Sequence, residues 1–173
     1  MADQTQEIDN PGPATQAGDP SGKILAVTAT FTAELVKEPL EFWVKQLDLR
    51  AKIKFAPFNQ VFQQLLDPVS LLARNLDGAN VILLRIEDLR TAENGHPDEI
   101  DSQFESSIDE LLVALRASAQ RSAIPHLVFV CPPSEAVRVQ PEVVRATERA
   151  VVHLAAGAVD IPGVQVVTPA ELL

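Results

Sequence analysis

The sequence predicts an α/β fold: a three-layer sandwich on a five-stranded, mostly parallel sheet of flavodoxin-like order 2-1-3-4-5. Three observations lead there. Five short apolar, β-rich runs recur along the chain. The segments between most of them carry apolar residues at helical spacing, and Pro or Asp-Gly signals mark several joints. Strands that alternate with helices are joined by right-handed crossovers, which leaves little but a parallel sheet with helices on both faces. The chain has 173 residues, 46% of them hydrophobic, enough for one domain with a sizeable core.

Residues 1–22 carry four acids and no Lys or Arg, and Ile8 is their only large aliphatic residue after Met1. They bury too little apolar area to offset ordering entropy and read as a disordered acidic leader, with the domain occupying 23–173. KILAVTA (23–29) is the first strand, and Leu40, Trp43, Val44 and Leu47 follow at helical spacing behind Pro39. Trp43 and Phe62 are therefore expected in helix-to-sheet packing. AKIKFAPF (51–58) alternates Ile53 and Phe55 with Lys52 and Lys54, as a half-exposed strand does, and NQVFQQLLD (59–67) returns to helical spacing. Asp77-Gly78 turns the chain into NVILLRI (80–86), the third strand.

The stretch from Glu87 to Glu110 holds nine acids against one Arg, with Asn94-Gly95-His96-Pro97 inside it, and reads as a long exposed loop. Ile108, Leu111, Leu112 and Leu115 give the buried stripe of the next helix, and HLVFV (126–130) is the fourth strand. Pro141 opens another helix, and VQVV (164–167) is the fifth strand. Thr168-Pro169-Ala170-Glu171 then spells a capping box, a helix start that suggests a longer polypeptide truncated before a C-terminal helix.

Charge and cysteine usage narrow the function classes. A net charge of −10 disfavours nucleic acid and anionic membrane as partners, since both would repel this surface at long range. No apolar run reaches the roughly 18 residues of a membrane span, and no signal peptide opens the chain, so a cytoplasmic protein is expected. One Cys allows neither an intrachain disulfide nor a Cys-based zinc site.

In the predicted order a ligand site belongs at the carboxyl ends of the first and third strands. TATFTAE (28–34) stands there in place of a phosphate-binding glycine motif, so no dinucleotide or triphosphate cofactor is expected. Thr28, Thr30 and Thr32 offer hydroxyls, suited either to capping and strand packing or, with a base, to nucleophilic attack. Arg85, Glu87 and Asp88 put charges at a strand mouth usually apolar, to bind a polar ligand or to pair with one another. Asn59, Gln60, Gln63 and Gln64 add amides. Cys131 lacks an evident base, and His126 opens the strand that Cys131 follows, too far for a dyad. His96 reads as solvated and His153 as an ordinary helix residue; no His-x-x-x-His or Asp-x-x-His spacing supports a metal site or a hydrolytic triad.

Taken together, TATFTAE with Phe42-Trp43, FAPFNQVFQQLLDPVSLLARN (55–75), DGANVILLRIEDL (77–89) and CPPS (131–134) resemble the N-terminal region of FkbH-like proteins, the subfamily IIIC branch of the HAD superfamily. The closest likeness is to versions associated with modular polyketide synthases and nonribosomal peptide synthetases, over about residues 23–171. The resemblance implies an SGNH-hydrolase-like domain preceding a HAD domain, to which the family's glyceryl transfer onto a carrier protein is assigned. No Asp-x-Asp-x-Thr motif of that second domain occurs in this sequence, and Phe58 stands where similar sequences often read Tyr. Thr28-Ala29-Thr30 replaces the Gly-Asp-Ser-like nucleophile block, the oxyanion Gly and Asn blocks have no counterpart, and no Asp-x-x-His closes the chain.

The expectation is a noncatalytic interaction domain that engages an acyl or peptidyl carrier protein or a neighbouring synthase domain. Because carriers are commonly acidic, the docking side would be the basic one, with Lys37, Lys45, Arg50, Lys52 and Lys54. The alternatives are a cryptic acyltransferase or esterase acting on carrier-bound acyl groups with Thr30 as nucleophile, a part of a glyceryl-transferring FkbH-like enzyme, and a polar-metabolite site at Arg85, Glu87 and Asp88.

Overall fold

In the computed structural model, which describes residues 22–90 and 99–171, the sheet order is β2-β1-β3-β4-β5 with every neighbouring pair parallel. The strands are β1 (Lys23–Ala29), β2 (Ala51–Phe55), β3 (Gly78–Leu84), β4 (His126–Val130) and β5 (Val164–Val167). Between them lie α1 (Lys37–Gln46), α2 (Val61–Leu66), α3 (Ile100–Arg121), the single turn α4 (Glu135–Arg138) and α5 (Pro141–Ala158). The predicted five-stranded α/β architecture and its order are the observed ones.

The two faces of the sheet differ. Alternate residues point to opposite sides, so the register sorts them. One face carries Ala26, Thr28, Asn80, Ile82, Leu84, His126, Val128 and Val130, all buried. Against it pack α2, α3 and α5, whose Leu65, Phe104, Ile108, Leu111, Leu115 and Leu154 complete the core. The other face carries the buried Val27 and Ala29 together with Ile53, Leu25, Val81, Leu83, Leu127 and Phe129, each of these six still partly exposed. The step from β1 to β2 runs opposite to every later one, so among the described helices a right-handed crossover places only α1 on this second face.

Two expectations change on these facts. The acidic stretch 87–110 is not one exposed loop. A 3₁₀ turn at Ile86–Leu89 buries Ile86 and Leu89, and α3 begins at Ile100 with Ile100 and Phe104 buried. The acids of its first turns line the solvent side of a helix whose apolar side docks on the core. Residues 91–98, with His96 and the Asn94–Pro97 turn, lie outside the described residues, as does the leader over 1–21. Trp43 is likewise not packed on the sheet: α1 forms where periodicity placed it, yet it buries no residue and Trp43 is 58% exposed, edge-on to Phe42. Phe62, by contrast, does pack against the core. After β5, Thr168 accepts the role of cap: its backbone N–H and hydroxyl both donate to Glu171, at 2.7 and 2.8 Å, over a 3₁₀ turn.

At the amino ends of the strands a buried polar chain takes over from the apolar core. Asn75 Nδ2 donates to Ile24 O, Ala79 O and Asn80 Oδ1, and Asn80 Nδ2 donates to Leu72 O. His126 is fully buried; its Nδ1–H donates to Ile124 O at 3.0 Å and its Nε2 accepts from the Ser118 hydroxyl at 2.8 Å. Burial holds the imidazole below its ordinary value of 6.5, only partly offset by the Ile124 carbonyl. In the window between that lowered value and 6.5 the unfolded chain holds a proton that the folded one lacks, so this group's contribution to stability falls as pH drops through the window. A proton NMR titration of the His126 ring should give a midpoint below 6.5; a midpoint at or above it refutes the neutral buried imidazole.

Candidate functional site

The strand ends β1, β3 and β4 bring together part of the predicted set. Thr30 follows β1, is buried, and is held by its backbone N–H to Leu83 O at 3.1 Å. Its hydroxyl donates to Asp88 Oδ2 at 3.1 Å and accepts from the Arg85 backbone N–H at 3.0 Å. Arg85 Nε donates to the same Asp88 oxygen at 3.0 Å and its guanidinium lies 4.8 Å above the Phe31 ring. Glu87 turns the other way and accepts the Ser134 backbone N–H at 2.7 Å. Thr30, Arg85 and Asp88 thus satisfy one another across the switch point.

The remaining candidates do not join them. Thr28 points into the core face, where its hydroxyl has no partner, and Thr32 is exposed. Asn59 sits in the left-handed region at φ 53° on the turn before α2. Asn59 and Gln63 are exposed and Gln60 is half-buried. Gln64 is structural: its side-chain oxygen accepts from the Leu71 N–H while its backbone carbonyl accepts from Ser70 Oγ. Cys131 is half-buried beside Arg85, Glu87 and Asp88. Burial pushes its thiol up, the Arg85 charge opposes this, and the two carboxylates reinforce it, so the thiol stays protonated. His153 lies on the α3–α5 surface, 2.7 Å from Asp109.

Phe31 and Ser134 fall inside strand-end segments that the sequence singles out, 28–32 and 131–134, but the sequence assigned neither a role in the cluster. Their signals were in the sequence, as an aromatic inside the Thr run and as the end of the CPPS segment, but nothing local says that they meet Arg85 and Glu87.

Little open volume accompanies this cluster. The crevice between the ends of β1 and β2, lined by Val27, Ala29, Phe31, Phe55 and Phe58, has a volume of about 10 Å³, room for a single water. The broad hollow lies elsewhere, at the amino ends of β1 and β3 under the α1–β2 connection, with a volume of about 890 Å³ and Leu25, Leu49, Arg50, Lys52 and Asp77 among its lining.

The basic candidates fall on two sides of the β2 edge. Lys37 and Lys45 belong to α1, where Lys37 reaches Glu41 at 3.8 Å. Lys52 and Lys54 are exposed on β2, in register with Ile24 and Ala26 of the opposite sheet face. Arg50 lies in the connection between them. Among the described residues no group of three or more His, Cys, Asp or Glu is arranged to hold a metal ion, and no helix is long and apolar enough to cross a membrane.

No family model matches the chain, and no curated protein matches it. One solved structure is similar: the N-terminal part of the protein BF1531 from Bacteroides fragilis, containing a phosphatase domain and complexed with Mg. The likeness has a TM-score of 0.64 at 14% identity and covers 87% of this chain and 41% of that one. At this identity the likeness is one of fold, and the chain spans less than half the length of that neighbour.

Proposed function

We propose that this chain is a noncatalytic, SGNH-like interaction domain of an FkbH-like protein from polyketide or nonribosomal peptide biosynthesis, which engages a carrier protein or a neighbouring synthase domain. The observation that carries the reading is the closed switch point. The Thr30 hydroxyl is spent between Asp88 and the Arg85 N–H, and the adjoining crevice is about 10 Å³. An acyl nucleophile needs a free base and a place for the carbonyl beside it. Thr30 faces a carboxylate already paired with a guanidinium, which is a poor acceptor for its proton. The likeness to part of a structure containing a phosphatase domain supports a place beside such a domain in a longer protein, and the missing Asp-x-Asp-x-Thr motif supports assigning no phosphoryl chemistry to this part.

Docking would use the basic groups Lys37, Lys45, Arg50, Lys52 and Lys54, since residues 34–55 carry five bases against four acids while the whole chain is at −10. Two measurements test this. Short-chain esters and carrier thioesters should show no turnover by the domain; turnover abolished by Thr30→Ala would overturn the noncatalytic reading. Titrating an acidic carrier protein into isotope-labelled domain should shift resonances around β2, weakened by joint charge reversal of Lys52 and Lys54. Binding that survives that reversal, or shifts confined to the α3 acids, would overturn the basic-edge assignment.

A further inference from the structure

Strand β2 is an edge of the sheet. Ala56 N–H donates to Val27 O of β1 at 2.7 Å, and backbone groups alternate in direction along a strand. Lys52 and Lys54 therefore also bond toward β1, while the N–H and C=O groups of Ile53 and Phe55 point outward, where no described strand meets them. Side chains sort the same edge by face. Lys52 and Lys54 stand exposed on the side that carries Ile24 and Ala26. On the side toward α1, Val44, Leu49, Ala51 and Ile53 line a groove with a volume of about 490 Å³, and Glu41 and Lys45 balance each other at its rim.

A strand added to this edge must match both faces. It needs acids opposite Lys52 and Lys54 and an aliphatic residue between them for the groove, and the two lysines turn other strands away. Glu7-Ile8-Asp9 supplies that alternation, and Ile8 is the one large aliphatic residue between Met1 and Gly22. The segment is also within reach. Gly22 leads into Lys23, which is in register with Ala51 at the start of β2. A strand antiparallel to β2 ends at that same place, so residues 11–22 have only two strand spacings to cross, about 10 Å, and can span up to about 40 Å. Pro11, which has no N–H, stops the pairing after Asn10.

We propose that residues 6–10 dock as a further, antiparallel strand on the open edge of β2. Ile8 exchanges both backbone hydrogen bonds with Ile53 and sets its side chain in the groove, while Glu7 stands opposite Lys54 and Asp9 opposite Lys52. The ordering cost falls on five residues and not on the whole leader, and the tether spares them the cost of association. An edge covered in this way is closed to strands of other molecules. The docking goes beyond the carrier reading and does not rest on it, since its tests read the full chain alone; a carrier that uses Lys52 and Lys54 has to displace the strand.

Amide exchange followed by NMR on the full chain decides it. Ile53 N–H should be protected, and Ile8→Pro, which removes the bond to Ile53 O, should speed its exchange about tenfold or more. Val27 N–H, bonded inside the β1–β2 pair, should keep its rate and so report that the fold survives each variant. A short Hα–Hα contact should join Glu7 and Lys54, as in a non-hydrogen-bonded antiparallel pair. Glu7→Lys and Lys54→Glu should each lower the protection several-fold, and the double variant E7K/K54E should restore it, since the exchanged charges still face each other. An Ile53 amide that exchanges freely in the full chain, or at a rate indifferent to Ile8→Pro, overturns the proposal. Protection that rises with protein concentration puts a second copy on the edge and overturns it too, and single reversals that the double reversal fails to repair refute the register.

Discussion

Gly78→Ala should destabilise the domain by at least about 3 kcal/mol, combining left-handed backbone strain with a steric clash. Gly78 opens β3 at φ 119°, a conformation that side chains rarely adopt. A Cβ built there would lie 2.1 Å from Ile24 O and 2.7 Å from Ile24 N. These are backbone atoms of β1, directly in register with Gly78, and they cannot yield without opening the β1–β3 pairing. Ile24 O also accepts the Asn75 amide, so the clash reaches the buried polar chain at the same end of the sheet. Gly163→Ala separates the two causes. Its φ is 78° but nothing lies within 4 Å of the added carbon, so it should cost only the backbone strain, about 1–2 kcal/mol. Denaturant unfolding of both variants measures this, and equal losses would show that the close approach to β1 contributes nothing.

The sequence carried this position as a turn, through Asp77-Gly78, without the reason for it: a parallel neighbour 54 residues away in the chain presses on the glycine. The same limit separates the legible from the illegible elsewhere. Strand identity and order followed from alternation and crossover handedness, which are local or topological. The placement of Thr30, Arg85 and Asp88 at one strand mouth followed from the switch-point rule. Their mutual saturation did not, because a hydroxyl, a guanidinium and a carboxylate read alike whether they face a ligand or each other. The burial of α1 was inferred from a stripe of Leu40, Trp43 and Leu47, and a stripe records that a helix has an apolar side, not that its own chain covers that side. His126 gave no sign beyond opening a strand. Its isolation in the core depends on Ser118 from α3 and the carbonyl of Ile124.

Phe104→Ala is expected to cost about 3–5 kcal/mol, the loss from emptying a fully packed aromatic site. Phe104 is 1% exposed, in the second turn of α3, inside the stretch whose nine acids read as a solvated loop. Composition misled there because the acids and the buried residues share one helix at different angles. Ile100, Phe104, Ile108, Leu111, Leu112 and Leu115 keep a spacing of three and four, while Asp101, Glu105, Asp109 and Glu110 fall between them and stay exposed. The acids therefore charge the outer side of α3, where Asp101 pairs with Arg149 and Asp109 meets His153, both from α5. Such exposed pairs add at most about 1 kcal/mol each, so the docking of this first half of α3 rests on its apolar side. Val113→Ala, at a 62% exposed site on the same helix, should change stability by no more than about 0.5 kcal/mol. Guanidinium unfolding midpoints of the two variants give the comparison directly. If Phe104→Ala costs no more than Val113→Ala, the opening turns of α3 are not docked on the core and the acidic stretch is the loop that its composition suggested.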